Sequence, residues 1–138
     1  MEIDIKKYMG KWYEIARIHN EYEDNMTNVT AEYTLLDNGN VKIINSGFLN
    51  GELKQIKGYA STTEKSDVLR VSFYPHIYTN YHILAIDKNY QYALVGGNTK
   101  HYLWILARKP YITKDIYEKM LKIAQNNGFN INRIQITK

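Results

Sequence analysis

The stretch Gly10-Lys11-Trp12-Tyr13-Glu14-Ile15-Ala16-Arg17 decides the fold of this chain. A glycine two residues before a tryptophan, followed by alternating apolar positions, is typical of a strand that begins where another backbone passes close by. Farther along, Tyr102-Leu103-Trp104-Ile105-Leu106-Ala107-Arg108 places the aromatic residues and Arg108 on one face of a second strand. An arginine laid over the Trp12 indole, with its donors bonded to backbone carbonyls, would close the base of a sheet curled shut.

These two stretches and Tyr81-His82-Ile83-Leu84-Ala85-Ile86-Asp87-Lys88-Asn89-Tyr90 together resemble the signature motifs of the lipocalins. The first resembles the family's G-x-W-Y signature and the middle one its T-D-Y motif, with Ile86 where threonine is common and Asn89 before the tyrosine. Arg108 matches the arginine near the end of the last barrel strand. Within the family, the chain is most similar to bacterial outer-membrane lipocalins and to apolipoprotein D-like lipocalins.

The composition bounds the class of protein. A length of 138 residues with 44% apolar residues and two prolines predicts one ordered domain, residues 1–138. No apolar run approaches the ~20 residues that a membrane-spanning helix needs. The absence of cysteine excludes disulfides, thiol catalysis and thiolate metal sites. The net charge of +4 is not concentrated in a basic run, which argues against a nucleic-acid partner and leaves weak attraction to an anionic membrane surface.

Turn residues divide most of the chain into short strands. Asp37-Asn38-Gly39-Asn40 and Asn50-Gly51 predict tight hairpins, because these residue types tolerate positive φ. We expect strands over residues 11–18, 28–36, 41–49, 52–61, 68–74, 81–87, 92–96 and 102–108. Eight strands close a barrel around one small ligand, so the predicted fold is all-β, an eight-stranded antiparallel up-and-down barrel. The segment Ile3–Met9 predicts a helical turn that closes one end.

The period of the apolar residues changes after Pro110. Thr113 is a suitable N-cap and Gly128 a suitable residue just past a helix C-terminus. One apolar stripe lies between them at helical spacing, formed by Ile116, Met120, Ile123 and Ala124. We expect one C-terminal helix packed on the outside of the barrel, followed by a short final strand over roughly residues 130–136 beside the first strand.

The inner wall can be phased from Trp12 and Arg108, because side chains alternate across a strand. Counting back from Arg108 turns Trp104 and Tyr102 inward, and the resemblance to the lipocalins phases the other strands. Gly10, Trp12 and Arg108 are expected to be structural. The predicted ligand-binding residues are mostly apolar and aromatic: Ala16, Ile18, Ala31, Tyr33, Ile43, Asn45, Ile56, Ala60, Val71, Phe73, Tyr81, Ile83, Tyr102 and Trp104.

Such a wall predicts a site for a hydrophobic small molecule, carried or stored. The resemblance implies a fatty acid or a lysophospholipid and a role in membrane lipid maintenance. We expect the head group to stay at the open mouth, and the loops at residues 19–27 and 74–80 to gate entry. The predicted rim residues are Arg17, His19, His76 and Tyr78. The alternative is that the aromatic side chains fill the barrel and leave no cavity.

Two other functions stay open. Tyrosines and rim histidines would also serve a tetrapyrrole or haem carrier, although the four histidines match no ligand motif, so no metal and no cofactor is expected. A small enzyme acting on an apolar substrate would need Glu14, which lies at an inward position near the base. No nucleophile has a base beside it in the pattern, so we expect no enzymatic activity.

The partners and the compartment follow from the same observations. We expect a monomer or a weak homodimer that binds a hydrophobic small molecule and no nucleic acid. The leader Met1–Met9 shows no signal peptide and no lipid-accepting cysteine. The bacterial resemblance therefore places the protein in the periplasm or at the outer membrane if an export segment precedes these residues, and in the cytoplasm otherwise.

Overall fold

Alternating apolar residues and glycine- or asparagine-containing turns give nine antiparallel strands in the computed structural model, which describes residues 1–138. The strands are β1 (Gly10–Ile18), β2 (Thr27–Leu35), β3 (Val41–Leu49), β4 (Glu52–Thr62), β5 (Val68–Tyr74), β6 (Ile77–Ile86), β7 (Tyr92–Gly96), β8 (Leu103–Ala107) and β9 (Ile134–Ile136). Each strand pairs with its neighbours in the order β2-β3-β4-β5-β6-β7-β8-β1-β9, and β1 also pairs with β2, so the first eight strands close into a barrel. This confirms the predicted barrel and its short final strand.

The helices lie at the two ends of the chain. They are α1 (Ile5–Tyr8) and α2 (Lys114–Asn126), and a 3₁₀ turn spans Ile131–Arg133. The Thr113 side chain accepts a hydrogen bond from the Ile116 amide, and Gly128 adopts φ 87°, so both predicted ends of α2 are confirmed. No helix in the structure combines the length and the apolar character that a membrane crossing requires.

Hairpin turns set the two ends of the barrel. Asn50 and Gly51, with φ of 53° and 80°, join β3 to β4 as predicted. The prediction of a gating loop at residues 74–80 is wrong. His76 takes φ 66° in a tight turn, Tyr74 pairs with Ile77, and β6 begins at Ile77. Because the turn needs only Pro75 and His76, this segment is a hairpin tip rather than a gating loop.

Two hydrophobic cores lie on the two sides of the barrel wall. The outer core joins the wall to the apolar stripe of α2, where Met120 is 2% exposed and Ala124 is fully buried. This is the outer packing of the helix that its sequence predicts. The inner core fills the lower part of the barrel, with these buried members: Ile3, Tyr8, Trp12, Tyr33, Val41, Ile43, Ala60, Leu69, Val71, Ile83, Ala93, Val95 and Leu106.

The base of the barrel is closed by Trp12, Tyr8 and Arg108. The Trp12 indole is fully buried and donates from Nε1 to the Tyr8 carbonyl at 2.8 Å. The Arg108 guanidinium lies 3.7 Å from the centre of the Trp12 ring, within cation–π range. Its donors reach three backbone carbonyls at 2.8–3.0 Å, those of Tyr90, Lys11 and Lys7. Gly10 passes this site at φ 99°, where an added Cβ would lie 3.4 Å from Arg108 Nη1.

Candidate functional site

The inner face of the barrel has a closed lower layer and an accessible upper layer. In the lower layer, Ile43, Ala60 and Ile83 are each 2% exposed. In the upper layer, Phe73 and Trp104 are only partly buried, and Ile56 is 38% exposed. Because the upper side chains point into the barrel, their accessible surface faces the lumen. The inner face is therefore packed near the base and keeps accessible side-chain surface toward the mouth.

The structure brings most of the predicted ligand-binding residues together on this inner face. Strand pairing puts Ala31, Asn45 and Ile56 side by side, because Asn45 pairs with Ala31 on one side and with Ile56 on the other. The residues on the inner face are Ala31, Tyr33, Ile43, Asn45, Ile56, Ala60, Val71, Phe73, Tyr81, Ile83 and Trp104. Tyr102 lies at the mouth, where its ring stacks on Trp104 with centroids 6.2 Å apart. Ligand binding by these residues stays a prediction.

The inward placement of Ala16 and Ile18 is wrong. The register between β1 and β8 shifts, so that Glu14 pairs with Leu106 while Ala16 pairs with Ile105. This β-bulge adds one residue to β1 and reverses the alternation of its side chains beyond Glu14. Ala16 and Ile18 accordingly pack in the outer core against α2.

Arg17 is turned into the barrel by the same bulge, where it pairs with Trp104. The sequence predicts it at the rim, but Arg17 is only 8% exposed. Its Nη1 donates to Glu14 Oε2 at 2.8 Å, and its Nη2 donates to the Glu23 and Met26 carbonyls at 3.0 and 3.1 Å. Residues 19–26, which we call the mouth loop, are therefore fixed over the barrel by Arg17. This guanidinium is not free to hold a head group.

A second carboxyl group enters the barrel from the mouth loop. Glu23 Oε2 accepts hydrogen bonds from Trp104 Nε1 at 3.1 Å and from Asn20 Nδ2 at 3.2 Å, and it lies 3.7 Å from Arg17 Nε. The polar composition of the loop gave no indication that Asn20 and Glu23 point inward. Their inward position could be inferred only if the bulge in β1 were known, because the bulge turns Arg17 into the barrel, where it needs polar partners.

Glu14 and Glu23 thus share one guanidinium. Glu14 also accepts a hydrogen bond from Thr137 Oγ1 at 2.6 Å. Burial, followed by the negative charge of Glu23, raises the pKa of Glu14 to about 8. Glu14 is therefore mostly protonated at neutral pH.

The other predicted rim residues differ in position. His19 and His76 are exposed at the mouth, and His19 Nε2 lies 3.6 Å from Asp24 Oδ1. Tyr78 does not face the mouth. It points to the outer face of β6, where the Arg70 guanidinium carbon lies 5.2 Å from its ring centroid, because it alternates with the inward Thr79. No three His, Asp or Glu side chains come together in a way that could hold a metal ion.

Three phenols form the floor of the lumen. The Tyr81 hydroxyl lies 3.0 Å from the Tyr33 hydroxyl and is also hydrogen-bonded to the Tyr8 hydroxyl. Burial raises the pKa of all three, that of Tyr33 to about 12. They are therefore neutral groups that donate hydrogen bonds at any physiological pH. The sequence predicts that the segment Ile3–Met9 closes one end of the barrel, and it does not predict the hydroxyl cluster.

Two recesses outside the lumen are lined mostly by polar side chains. One of about 370 Å³ lies at the base around Arg108, and one of about 400 Å³ lies on the outer wall near Glu14 and Thr137. Charged and polar residues dominate both linings. Neither provides the apolar enclosure that a hydrophobic ligand requires, so the lumen is the candidate site.

The chain matches the family model for the lipocalin-like domain over residues 3–138. The chain is a lipocalin. This lipocalin is 39% identical over 135 residues to the outer membrane lipoprotein Blc of Citrobacter freundii, covering 95% of this chain and 76% of that protein. It is 34% identical over 145 residues to apolipoprotein D of Mus musculus, covering 97% of this chain and 76% of that protein. The predicted family is confirmed.

Solved structures show the same fold for this lipocalin at low sequence identity. Lobster apocrustacyanin A1 superimposes with a TM-score of 0.79 at 20% identity, covering 96% of this chain and 77% of that chain. Lipocalins generally bind and carry small hydrophobic molecules and are not usually enzymes. The family assignment and the accessible upper layer of the lumen therefore agree on one site.

Proposed function

We propose that this lipocalin binds a fatty acid or a lysophospholipid, with the acyl chain in the upper lumen. The observation that carries the proposal is the exposure of apolar side chains inside a closed barrel, with Ile56 at 38% and Phe73 and Trp104 partly exposed beside it. An acyl chain that covers this surface gains ~0.8 kcal/mol per buried methylene before the cost of ordering is subtracted. Ten methylenes give a gross gain of about 8 kcal/mol, which is enough for useful affinity.

The head group is proposed to stay at the mouth, since Arg17 is committed to Glu14 and to the mouth loop. Lys54 alternates with Ile56 on β4, which puts it on the inner face near the mouth, half exposed and 3.1 Å from Glu52. His76 is exposed at the β5–β6 hairpin tip on the same end of the barrel. These side chains, with His19, are suited to hold a carboxylate or a phosphate that remains in water.

Binding rather than catalysis is favoured by the state of Glu14. It is the carboxyl group that the sequence singles out for an enzyme, and it is hydrogen-bonded to Arg17 and Thr137. Through Arg17, Glu14 helps to fix the mouth loop. A carboxyl group bonded in this way is not positioned to remove a proton from a substrate in the lumen. The proposed role is membrane lipid maintenance, in the periplasm or at the outer membrane, supported by relatives named outer membrane lipoproteins. A monomer or weak dimer that contacts a membrane surface fits this role.

The test begins with organic extraction of the purified protein and mass spectrometry of the extract. Binding of palmitate and of lysophosphatidylcholine is then measured by displacement of a fluorescent fatty acid. Ala31→Trp fills the upper lumen and should weaken binding at least tenfold. Thr34→Trp places the same side chain on the exposed outer face of β2 and should leave binding unchanged.

An extract without lipid, together with no binding of either ligand, would contradict the proposal. A coloured protein that yields a tetrapyrrole would instead favour the pigment-carrier function. Equal binding by Ala31→Trp and the unaltered protein would place the ligand outside the lumen.

A further inference from the structure

The floor of the lumen carries more hydrogen-bond donors than acceptors can satisfy. The Tyr81 hydroxyl contacts the hydroxyls of Tyr8 and Tyr33, and these two contacts are the only hydrogen bonds that the three phenols make. Three hydroxyl groups carry three protons, and two contacts use two of them. Whichever way the hydroxyls rotate, one O–H finds no acceptor in the protein.

This spare donor can reach the lumen. Tyr8 is fully buried and Tyr33 is 5% exposed, but Tyr81 keeps accessible surface although it lies inside the barrel. The side chains nearest in the strand register are hydrocarbon, since Tyr33 pairs with Ile43 and Tyr81 pairs with Leu69. A buried donor with no partner destabilises the state that contains it, so an acceptor that arrives from the lumen is favoured.

The charge around the phenols limits the kind of acceptor. The charge of Arg108 acts on Tyr8 from the far side of Trp12, where its donors are bonded to backbone carbonyls, and the carboxyl group of Glu23 acts on Tyr33 from the side of the mouth. A carboxylate at the floor would lose its hydration without gaining a counter-ion. An uncharged oxygen, such as a hydroxyl or a keto group, accepts the hydrogen bond without that loss.

We propose that the Tyr8, Tyr33 and Tyr81 hydroxyls form a polar subsite for an uncharged oxygen at the buried end of an otherwise apolar ligand. The inference rests on the proposed binding of acyl chains in the lumen and narrows the ligand class to chains oxygenated at the end remote from the head group. A plain alkyl end would leave the spare O–H unpaired.

The experiment compares matched pairs of ligands, a saturated fatty acid and its ω-hydroxy counterpart, at chain lengths of 10, 12, 14 and 16 carbons. A terminal hydroxyl normally weakens burial in an apolar pocket. We expect the unaltered protein to bind the ω-hydroxy member about tenfold more tightly at the length that reaches the floor. The double variant Tyr33→Phe, Tyr81→Phe removes the two phenols nearest the lumen and should bind the plain fatty acid more tightly instead.

The matched control is Tyr59→Phe, which removes a hydroxyl on the outer face of β4 and should keep the preference. If the double variant does not fold, Tyr81→Phe alone is measured, because Tyr81 is the phenol with the most accessible surface. Its preference for the ω-hydroxy member should fall, and its melting temperature should fall as well, because the Tyr8 and Tyr33 hydroxyls lose their partner. If every chain binds and no length shows a preference, or if the preference survives in the double variant, the polar subsite is wrong and the proposed function stands. If neither member of any pair binds, the proposed function itself fails.

Discussion

At the scale of single residues, the titration of Glu14 controls how stability depends on pH. The pKa of Glu14 is about 8 in the folded protein, against an ordinary value of 4.5. Between these values the folded protein keeps a proton that the unfolded chain has released. The free energy of unfolding therefore falls as the pH rises from about 4.5 to about 8, by on the order of 1 kcal/mol per pH unit.

Glu14→Gln should flatten this dependence, because an amide keeps hydrogen-bonding capacity and does not titrate. Urea unfolding at about pH 5, 6, 7 and 8 gives the free energies to compare. Asp24→Asn, which removes a half-exposed carboxyl group of the same mouth loop, is the control and should unfold with the slope of the unaltered protein. Identical slopes for Glu14→Gln and the unaltered protein would show that the cluster does not retain a proton.

At the scale of elements, α2 is held to the barrel by its buried stripe. Met120 is 2% exposed and packs in the outer core, so Met120→Ala should lower the free energy of unfolding by about 2–4 kcal/mol. Lys119→Ala, at an exposed position on the same helix, should change it by less than about 0.5 kcal/mol. Urea midpoints at constant slope measure both. Because the outer core does not line the lumen, a large loss of ligand affinity in folded Met120→Ala would contradict the separation of the two cores.

The elements that the sequence predicts correctly are those whose signals are local. Thr113 and Gly128 bound α2 because capping depends on the residue itself and its nearest backbone groups. Asn50-Gly51 fixes a hairpin for the same reason. The prediction of which β1 side chains point inward is wrong beyond Glu14. The bulge depends on how β1 pairs with β8, and no residue in β1 specifies that register.

The mouth loop shows a second limit. Asn20 and Glu23 are polar residues between two strands, a pattern that indicates exposure to solvent. Asn20 is nevertheless 3% exposed. Its side chain donates to the Glu23 carboxyl group, and Glu23 in turn accepts a hydrogen bond from Trp104 of β8, which lies about eighty residues farther along the chain. Tertiary hydrogen bonds of this kind cannot be inferred from local composition. The hydroxyl cluster of the floor was missed for the same reason.

At the scale of the whole molecule, an open lumen means that a ligand adds stability to the folded barrel alone. At a free ligand concentration of 100 times Kd, binding adds about 2.7 kcal/mol to the free energy of unfolding. For a chain of this length the melting temperature should rise by roughly 8–10 °C. Differential scanning calorimetry with palmitate measures the shift, and Ala31→Trp should show little of it. An equal shift in Ala31→Trp would mean that palmitate stabilises the protein from outside the lumen.

The closure of the barrel is predictable because a residue of its first strand and one at the end of its last strand contact each other at the base. Trp12 and Arg108 are far apart in the chain, and their contact at the base requires the sheet to curl until its first and last parts touch. A pattern that demands one long-range contact thus fixes the closure of all eight strands. The open upper layer could not be foreseen, since the space left inside depends on the rotamers that Phe73 and Trp104 adopt.

The bulge in β1 makes the length of that strand as important as its composition. Because of this one surplus residue, the five positions from Glu14 to Ile18 place apolar side chains against α2 and the Glu14–Arg17 pair inside the barrel. Inserting one residue between Ala16 and Arg17 would exchange the two sets, pressing a guanidinium against the outer core and turning isoleucine toward the mouth loop. We infer that insertions and deletions in this strand are tolerated far less than substitutions, whereas the solvent-facing hairpin tips can vary in length without changing which side chains the ligand meets.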